Sequence, residues 1–114
     1  MQFYYWDSPH RQITEDFTAK VVKVIDGDTI RVEWNERDFD FPVRLLNIAA
    51  PELDERGGLR AKKFMDQILG EEVQILINPR LRVEKWGRLL GEIIHLGINM
   101  GQSSMDFGYS VEFV

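Results

Sequence analysis

Residues 17–34 read FTAKVVKVIDGDTIRVEW, two runs rich in β-branched side chains on either side of Asp26-Gly27. β-Branched residues suit the pleated, half-buried surface of a sheet, and Asp-Gly is a strong short-range hairpin signal. The pair therefore predicts an antiparallel hairpin, with strands over Phe17–Val24 and Thr29–Trp34. Asp26 and Asp28 in that turn need no explanation beyond solvation, because aspartate is a common turn residue.

Working outward toward the C-terminus, Asn35-Glu36-Arg37 forms a second turn, and Asp38–Ile48 alternates apolar Phe39, Phe41, Val43 and Leu45 as a long third strand would. Pro42 cannot donate to a ladder and predicts an edge or a bulge. After Gly57-Gly58 the period changes. LRAKKFMDQIL places Leu59, Ala61, Phe64, Met65, Ile68 and Leu69 on one helical face, with Gly70 as the stop. Val73–Ile77 and Leu89–Ile94 read as two more strands, joined by a basic, turn-rich connection, and the tail from Asn99 predicts a short helix weakened by Gly101, Ser103 and Ser104. Three strands, a helix, two strands and a helix is the order that a five-stranded OB-type Greek-key barrel requires, so the expected class is α+β, mainly β, with one helix between strands three and four and a short C-terminal helix.

Toward the N-terminus, residues 1–16 mix Tyr4, Tyr5 and Trp6 with polar and turn-prone residues and show neither period. They read as an N-terminal arm preceding a single domain over residues 17–114. A chain of 114 residues suffices for one core and no more. Its 44% hydrophobic and 29% charged residues are those of an ordinary globular protein. No apolar run is long enough to span a membrane, and the opening has no signal-peptide pattern, so the expectation is a cytoplasmic protein with no membrane partner. The absence of cysteine excludes disulfide frameworks, thiolate metal sites and thiol nucleophiles. Any metal must then be held mostly by oxygen. A net charge of −5 argues against a protein that coats nucleic acid through overall charge, and leaves room for a local basic cleft.

Two further segments place charge where strands begin or end. In Val43-Arg44-Leu45-Leu46-Asn47-Ile48-Ala49-Ala50-Pro51-Glu52 an arginine lies inside an apolar strand, and a glutamate follows a Pro-stiffened exit. In Glu84-Lys85-Trp86-Gly87-Arg88-Leu89 a second arginine enters a strand after an aromatic and a glycine. A strand arginine either snorkels to the surface, pairs with a carboxylate, or faces a site. His10 and His95 have no spaced partner and read as surface or turn residues. The basic cluster Arg56, Arg60, Lys62 and Lys63 reads equally as a solvated helix face or as a patch that steers nucleic acid.

Together, the Ile-Asp-Gly-Asp-Thr hairpin, the Arg-Leu-Leu strand leading to Pro-Glu, and the aromatic-Gly-Arg strand entry resemble the staphylococcal-nuclease (thermonuclease) family, over about Phe17 to Gly97. Gly58, Ala61 and Phe64 are similar to the family's residues at the first helix. The resemblance implies an OB-fold barrel that hydrolyses phosphodiesters in DNA and RNA with a calcium ion. Carried over by position, it implies that Asp28 binds calcium, that the Ala50 backbone carbonyl faces the metal, and that Arg44 and Arg88 grip the scissile phosphate. Glu52 would position or deprotonate the attacking water, and Lys85 and Trp86 would lie along the bound nucleotide. The chemistry is coherent: arginine offers a planar fork of donors that stays charged, and calcium takes oxygen ligands.

One position departs from the pattern. The family's strand ends Asp-Thr-Pro-Glu or Asp-Ala-Pro-Glu, and its Asp is the second metal-binding carboxylate, whereas this chain has Ala49. Losing an anionic ligand weakens calcium binding. Three readings of Ala49 follow: an active-site variant made so that a complex stays uncleaved, favoured because the other positions are filled; a natural protein that has given up catalysis and kept the cleft for binding; or replacement by Asp26 or Asp54. The resemblance thus implies a calcium-dependent nuclease impaired at Ala49, acting on single-stranded or locally opened DNA, with RNA as a further candidate substrate. The alternative is a non-catalytic module that binds nucleic acid or protein on the same fold.

Overall fold

The computed structural model describes residues 8–113; Tyr4, Tyr5 and Trp6 lie outside the described residues. β1 (Phe17–Val24), β2 (Thr29–Glu33) and β3 (Phe41–Leu45) form a meander, and β5 (Glu72–Leu76) and β6 (Leu89–His95) follow after α1 (Gly58–Met65). The sheet order is β3-β2-β1-β5-β6-β7, where β7 is Ile98–Asn99, and β3 also pairs with β6. That parallel contact, from Val43↔Leu89 to Leu45↔Gly91, closes a five-stranded barrel of the OB type. α2 (Met100–Asp106) is the short helix expected near the C-terminus.

Alternation produces this closure. Val21, Ile30, Val32, Val43, Ile75, Leu89 and Ile93 are each 0% exposed and fill the barrel, while alternate neighbours such as Lys20, Arg31, Gln74 and Glu92 are at least partly exposed. β1 carries a bulge between Val21 and Lys23. An extra residue bends a strand and increases its twist, so the first half of β1 pairs with β5 and the second half with β2. Met65 and Ile68, both fully buried, cap one end of the core from α1 and the 3-10 turn that follows it.

Several sequence expectations are corrected. The long third strand does not run from Asp38 to Ile48: it starts at Phe41 and ends at Leu45, and Phe39 is half exposed. Asn47 takes φ 60°, a left-handed conformation that asparagine tolerates. The chain turns there, and β4 (Ile48–Ala49) leaves the barrel to pair with β8 (Val111–Glu112). Neither that two-stranded sheet nor β7 is signalled by periodicity. Pro42 is not on a sheet edge, because β3 lies between β2 and β6; it is tolerated because the β6 pairing begins only at Val43. On α1, Ala61 and Met65 are buried as expected, but Leu59, in the first turn, is exposed, and so is Leu69, because the α-helix ends at Met65 and gives way to a 3-10 turn before it. His10 is not a surface residue. It is 3% exposed, next to the Phe41 ring, with Nδ1 2.9 Å from Arg37 Nη1.

Candidate functional site

The hairpin turn between β1 and β2 is shaped by its own backbone: Ile25 and Asp26 N–H both donate to the Thr29 carbonyl, and Asp28 N–H donates to Asp26 Oδ1 at 3.0 Å. This folds Asp28 inward, to 8% exposure. There its Oδ1 accepts from Thr29 Oγ1 at 2.9 Å and its Oδ2 from the Ala50 N–H at 3.1 Å. Asp28 therefore ties the hairpin to the segment after β4. Gly27 makes the approach possible: a Cβ there would lie 2.6 Å from the Ala61 Cβ and 2.7 Å from the Ala50 Cβ. Only glycine fits between those two alanines.

Arg44 reaches the same corner from β3. Its Nη2 lies 3.7 Å from Asp28 Oδ2 and its Nη1 donates to the Leu45 carbonyl at 3.1 Å. The Phe113 ring stands 5.3 Å from its guanidinium carbon. Phe113 arrives because its N–H donates to the Asn47 carbonyl, continuing the β4–β8 pairing.

Arg88 comes from a second hairpin. Glu84 N–H donates to the Arg88 carbonyl and Gly87 N–H to the Glu84 carbonyl, with Gly87 at φ 83°. A glycine is needed at that left-handed turn position. The Glu84 carboxylate then holds the loop from within. Its Oε1 accepts from Trp86 N at 3.1 Å, Arg88 N at 3.0 Å and Arg88 Nε at 3.2 Å. Lys85 Nζ sits 5.2 Å from the Trp86 ring, within the range of a cation–π contact.

These elements meet around a cavity of about 530 Å³ lined by Arg44, Arg88, Lys85 and Trp86, with Glu84, Phe113 and the apolar Leu46, Leu81 and Leu90 among the rest. Cationic forks beside an aromatic face and apolar walls are complementary to a phosphate joined to a planar ring. Four of the residues singled out in the sequence are therefore gathered in one place. Asp28 touches this group only through Arg44. Ala49 and Ala50 lie outside the cavity lining, as does Glu52, which is exposed and whose N–H donates to Glu55 Oε1 at 2.8 Å. The Ala50 group in contact with Asp28 is its N–H. Glu84 and Phe113 were not picked out in the sequence. Glu84 had a weak signal, a carboxylate four residues before an arginine, and Phe113 had none, because only the β4–β8 pairing brings it there.

The carboxylate side is thin in oxygen donors. Asp26 is pushed up to about 6 by burial and then by its hydrogen bond with the Asp28 side chain, as expected for two carboxyl groups that share a desolvated corner. Ala49 supplies no side-chain oxygen, and among the described residues no group of three or more His, Cys, Asp or Glu side chains could hold a metal ion. Calcium takes about six to eight oxygens. The donors present do not fit a calcium ion as a complete site. Arg56, Arg60 and Lys63 are exposed on or beside α1, and Lys62 is paired with Asp66 at 2.9 Å. Among the described residues no helix is long and apolar enough to cross a membrane.

No family model matches the chain. A micrococcal nuclease of Shigella flexneri is 38% identical over 79 residues, 68% of this chain and 42% of that protein. An uncharacterized endonuclease of Escherichia coli O157:H7 is 33% identical over 89 residues, 76% of this chain and 55% of the relative. An uncharacterized protein of Methanocaldococcus jannaschii is 27% identical over 128 residues, covering 88% and 61% of the two chains. The chain thus spans between 42% and 61% of the length of these curated relatives.

Proposed function

Because the chain belongs to the staphylococcal-nuclease-like family, we propose that it is a nuclease-type domain which grips the phosphodiester backbone of DNA, and of RNA where single-stranded, in the cavity between Arg44 and Arg88. Its calcium-dependent cleavage is impaired by Ala49. The observation that carries this reading is the gathering of Arg44, Arg88, Lys85 and Trp86 around one cavity; the impairment is read from Ala49 standing where the family pattern has a carboxylate.

On the cationic half, Arg44 and Arg88 engage non-bridging phosphate oxygens, and their charge is independent of working pH. Trp86 offers an exposed ring face to a base, and Lys85 adds charge beside it. Stacking needs an unpaired base, which favours single-stranded or locally opened substrate. On the other half, the family resemblance gives Asp28 and the Ala50 carbonyl as the groups that would face a cation, and Glu52 as the candidate to position or deprotonate water. In a complete site the calcium would supply charge stabilisation at the phosphoryl oxygens.

A second reading, a module that binds nucleic acid without cutting it, draws on the same cavity and on Ala49. Titrating a short labelled single-stranded DNA in calcium and in chelator, while following fragment release, decides between them. Tight binding in both buffers with slow calcium-dependent release supports an impaired nuclease. Equal binding with no release in either supports the module, and no binding in either overturns both readings.

A further inference from the structure

The loop that presents Lys85, Trp86 and Arg88 is fastened from outside by the start of the described chain. Ser8 is 5% exposed, and its Oγ donates to the Gly87 carbonyl at 2.7 Å, across 79 positions of sequence. The same oxygen accepts from His10 N at 3.2 Å, so Ser8 also caps the 3-10 turn Pro9–Gln12. That turn is anchored to the barrel independently, because Arg37 Nη2 donates to the Pro9 carbonyl at 2.9 Å and Arg37 Nη1 meets His10 Nδ1. Beyond the turn, Arg82 Nη1 donates to the carbonyls of Arg11 and Ile13. Arg82 itself opens the hairpin, since its carbonyl accepts from Leu90 N.

The segment from Ser8 to Ile13 is thus a strap bound at one side to the barrel and at the other to both the base and the tip of the cleft loop. The tip needs such a tie. Lys85 and Trp86 are exposed there, and ordering a loop residue costs about 1–2 kcal/mol of backbone entropy. Glu84 organises the loop internally but does not fix it to the barrel. The buried Ser8–Gly87 bond ties the loop to the strap, which Arg37 in turn ties to the connection between β2 and β3.

We propose that Ser8 is a positioning residue for the phosphate-gripping loop: through Gly87 it holds Lys85, Trp86 and Arg88 against the cavity, making the N-terminal strap part of the ligand-binding apparatus. This rests on the reading of the cleft as a phosphodiester site. Ser8→Ala removes the donor, and Ser8→Thr keeps the hydroxyl in the extended conformation at φ −69°, ψ 128°. Ile93→Val, in the barrel core away from the loop, serves as the control for general destabilisation.

The experiment measures amide hydrogen exchange at residues 85–88 and affinity for a short single-stranded DNA oligonucleotide in the full chain. Ser8→Ala is expected to speed exchange at the loop and weaken binding about three- to tenfold, the worth of one neutral hydrogen bond. Ser8→Thr should restore both, and Ile93→Val should leave both unchanged at a similar loss of melting temperature. If Arg88→Ala loses binding while Ser8→Ala exchanges and binds like the parent, the role given to Ser8 is overturned and the cleft reading stands. If the parent and Arg88→Ala bind alike, the cleft reading falls and takes the role of Ser8 with it.

Discussion

Arg44 Nη2 lies 3.7 Å from Asp28 Oδ2, with the two side chains only 14% and 12% exposed. The first belongs to the cationic half of the site and the second to the carboxylate half, so the two halves neutralise one another at their boundary. A cation bound at Asp28 would compete with Arg44 for the same carboxylate oxygen, and release the guanidinium toward the cavity.

This relationship separates the two arginines. Arg44→Ala and Arg88→Ala should each weaken oligonucleotide binding by about 1.5–3 kcal/mol per charge-assisted bond lost, and reduce the salt dependence of binding. Lysine should rescue poorly at either position, because it lacks the planar fork. Stability should respond differently. Arg44→Ala leaves the Asp28 carboxylate without its cation and should cost about 1–3 kcal/mol in denaturant unfolding, whereas Arg88→Ala breaks a partly exposed pair with Glu84 and should cost less than about 1 kcal/mol. Equal stability losses would argue against the burial assigned to the Arg44–Asp28 pair.

A second expectation concerns Gly58, where a Cβ would lie 1.8 Å from the Glu52 carbonyl oxygen and 2.9 Å from the Leu53 Cα. Both are backbone atoms, so the side chain of Gly58→Ala can be accommodated only by displacing the turn that carries Glu52. Overpacking of this kind typically costs about 1–3 kcal/mol. Thermal unfolding should show that loss, and the amide resonances of residues 52–55 should move while those of residues 84–88 do not. An unshifted 52–55 turn would contradict the contact.

The third expectation is a pH dependence at His10, which burial, then the charges of Arg37 and Arg31, lower from 6.5 to about 4. The unfolded chain binds a proton at this site below about pH 6.5, while the folded chain resists until about pH 4. The contribution of neutral His10 is therefore complete above 6.5 and is lost as pH falls, at no more than about 1.4 kcal/mol per unit. Asp26 acts in the opposite sense, because its raised value lets the folded state take up a proton first on acidification. Comparison of the parent with His10→Gln at each pH cancels Asp26. The stability advantage of the parent should shrink between pH 6.5 and 4, and an advantage that stays constant would contradict the burial of a neutral His10.

The barrel was legible in the sequence because its strands alternate and Asp26-Gly27 marks their first reversal, signals that depend only on local chain geometry. The split of the third strand was not. It depends on Asn47 adopting a left-handed conformation and on β8, more than sixty residues later, offering an edge to Ile48 and Ala49. His10 was misjudged for a similar reason: its burial comes from Arg37 and Phe41, distant in sequence, and not from any local pattern. At the site, Arg44, Arg88, Lys85 and Trp86 were recognised because their types and spacing carry the chemistry. Glu84, Phe113 and Ser8 act through tertiary contacts that spacing does not encode.

The central claim, a nuclease site impaired at one position, is tested most directly by Ala49→Asp. The measurement is calcium-dependent release of labelled fragments from single-stranded DNA, run with calcium, magnesium and chelator, with calorimetry of calcium binding in parallel. A second anionic oxygen on this segment, whose next residue Ala50 donates its N–H to Asp28 Oδ2, should strengthen divalent-ion binding and raise cleavage well above that of the parent. Adding Glu52→Gln should abolish most of the gain, because the amide keeps the shape but cannot accept a proton from water. A folded Ala49→Asp protein that neither binds calcium more tightly nor cleaves would contradict the account and leave the binding-only module in its place.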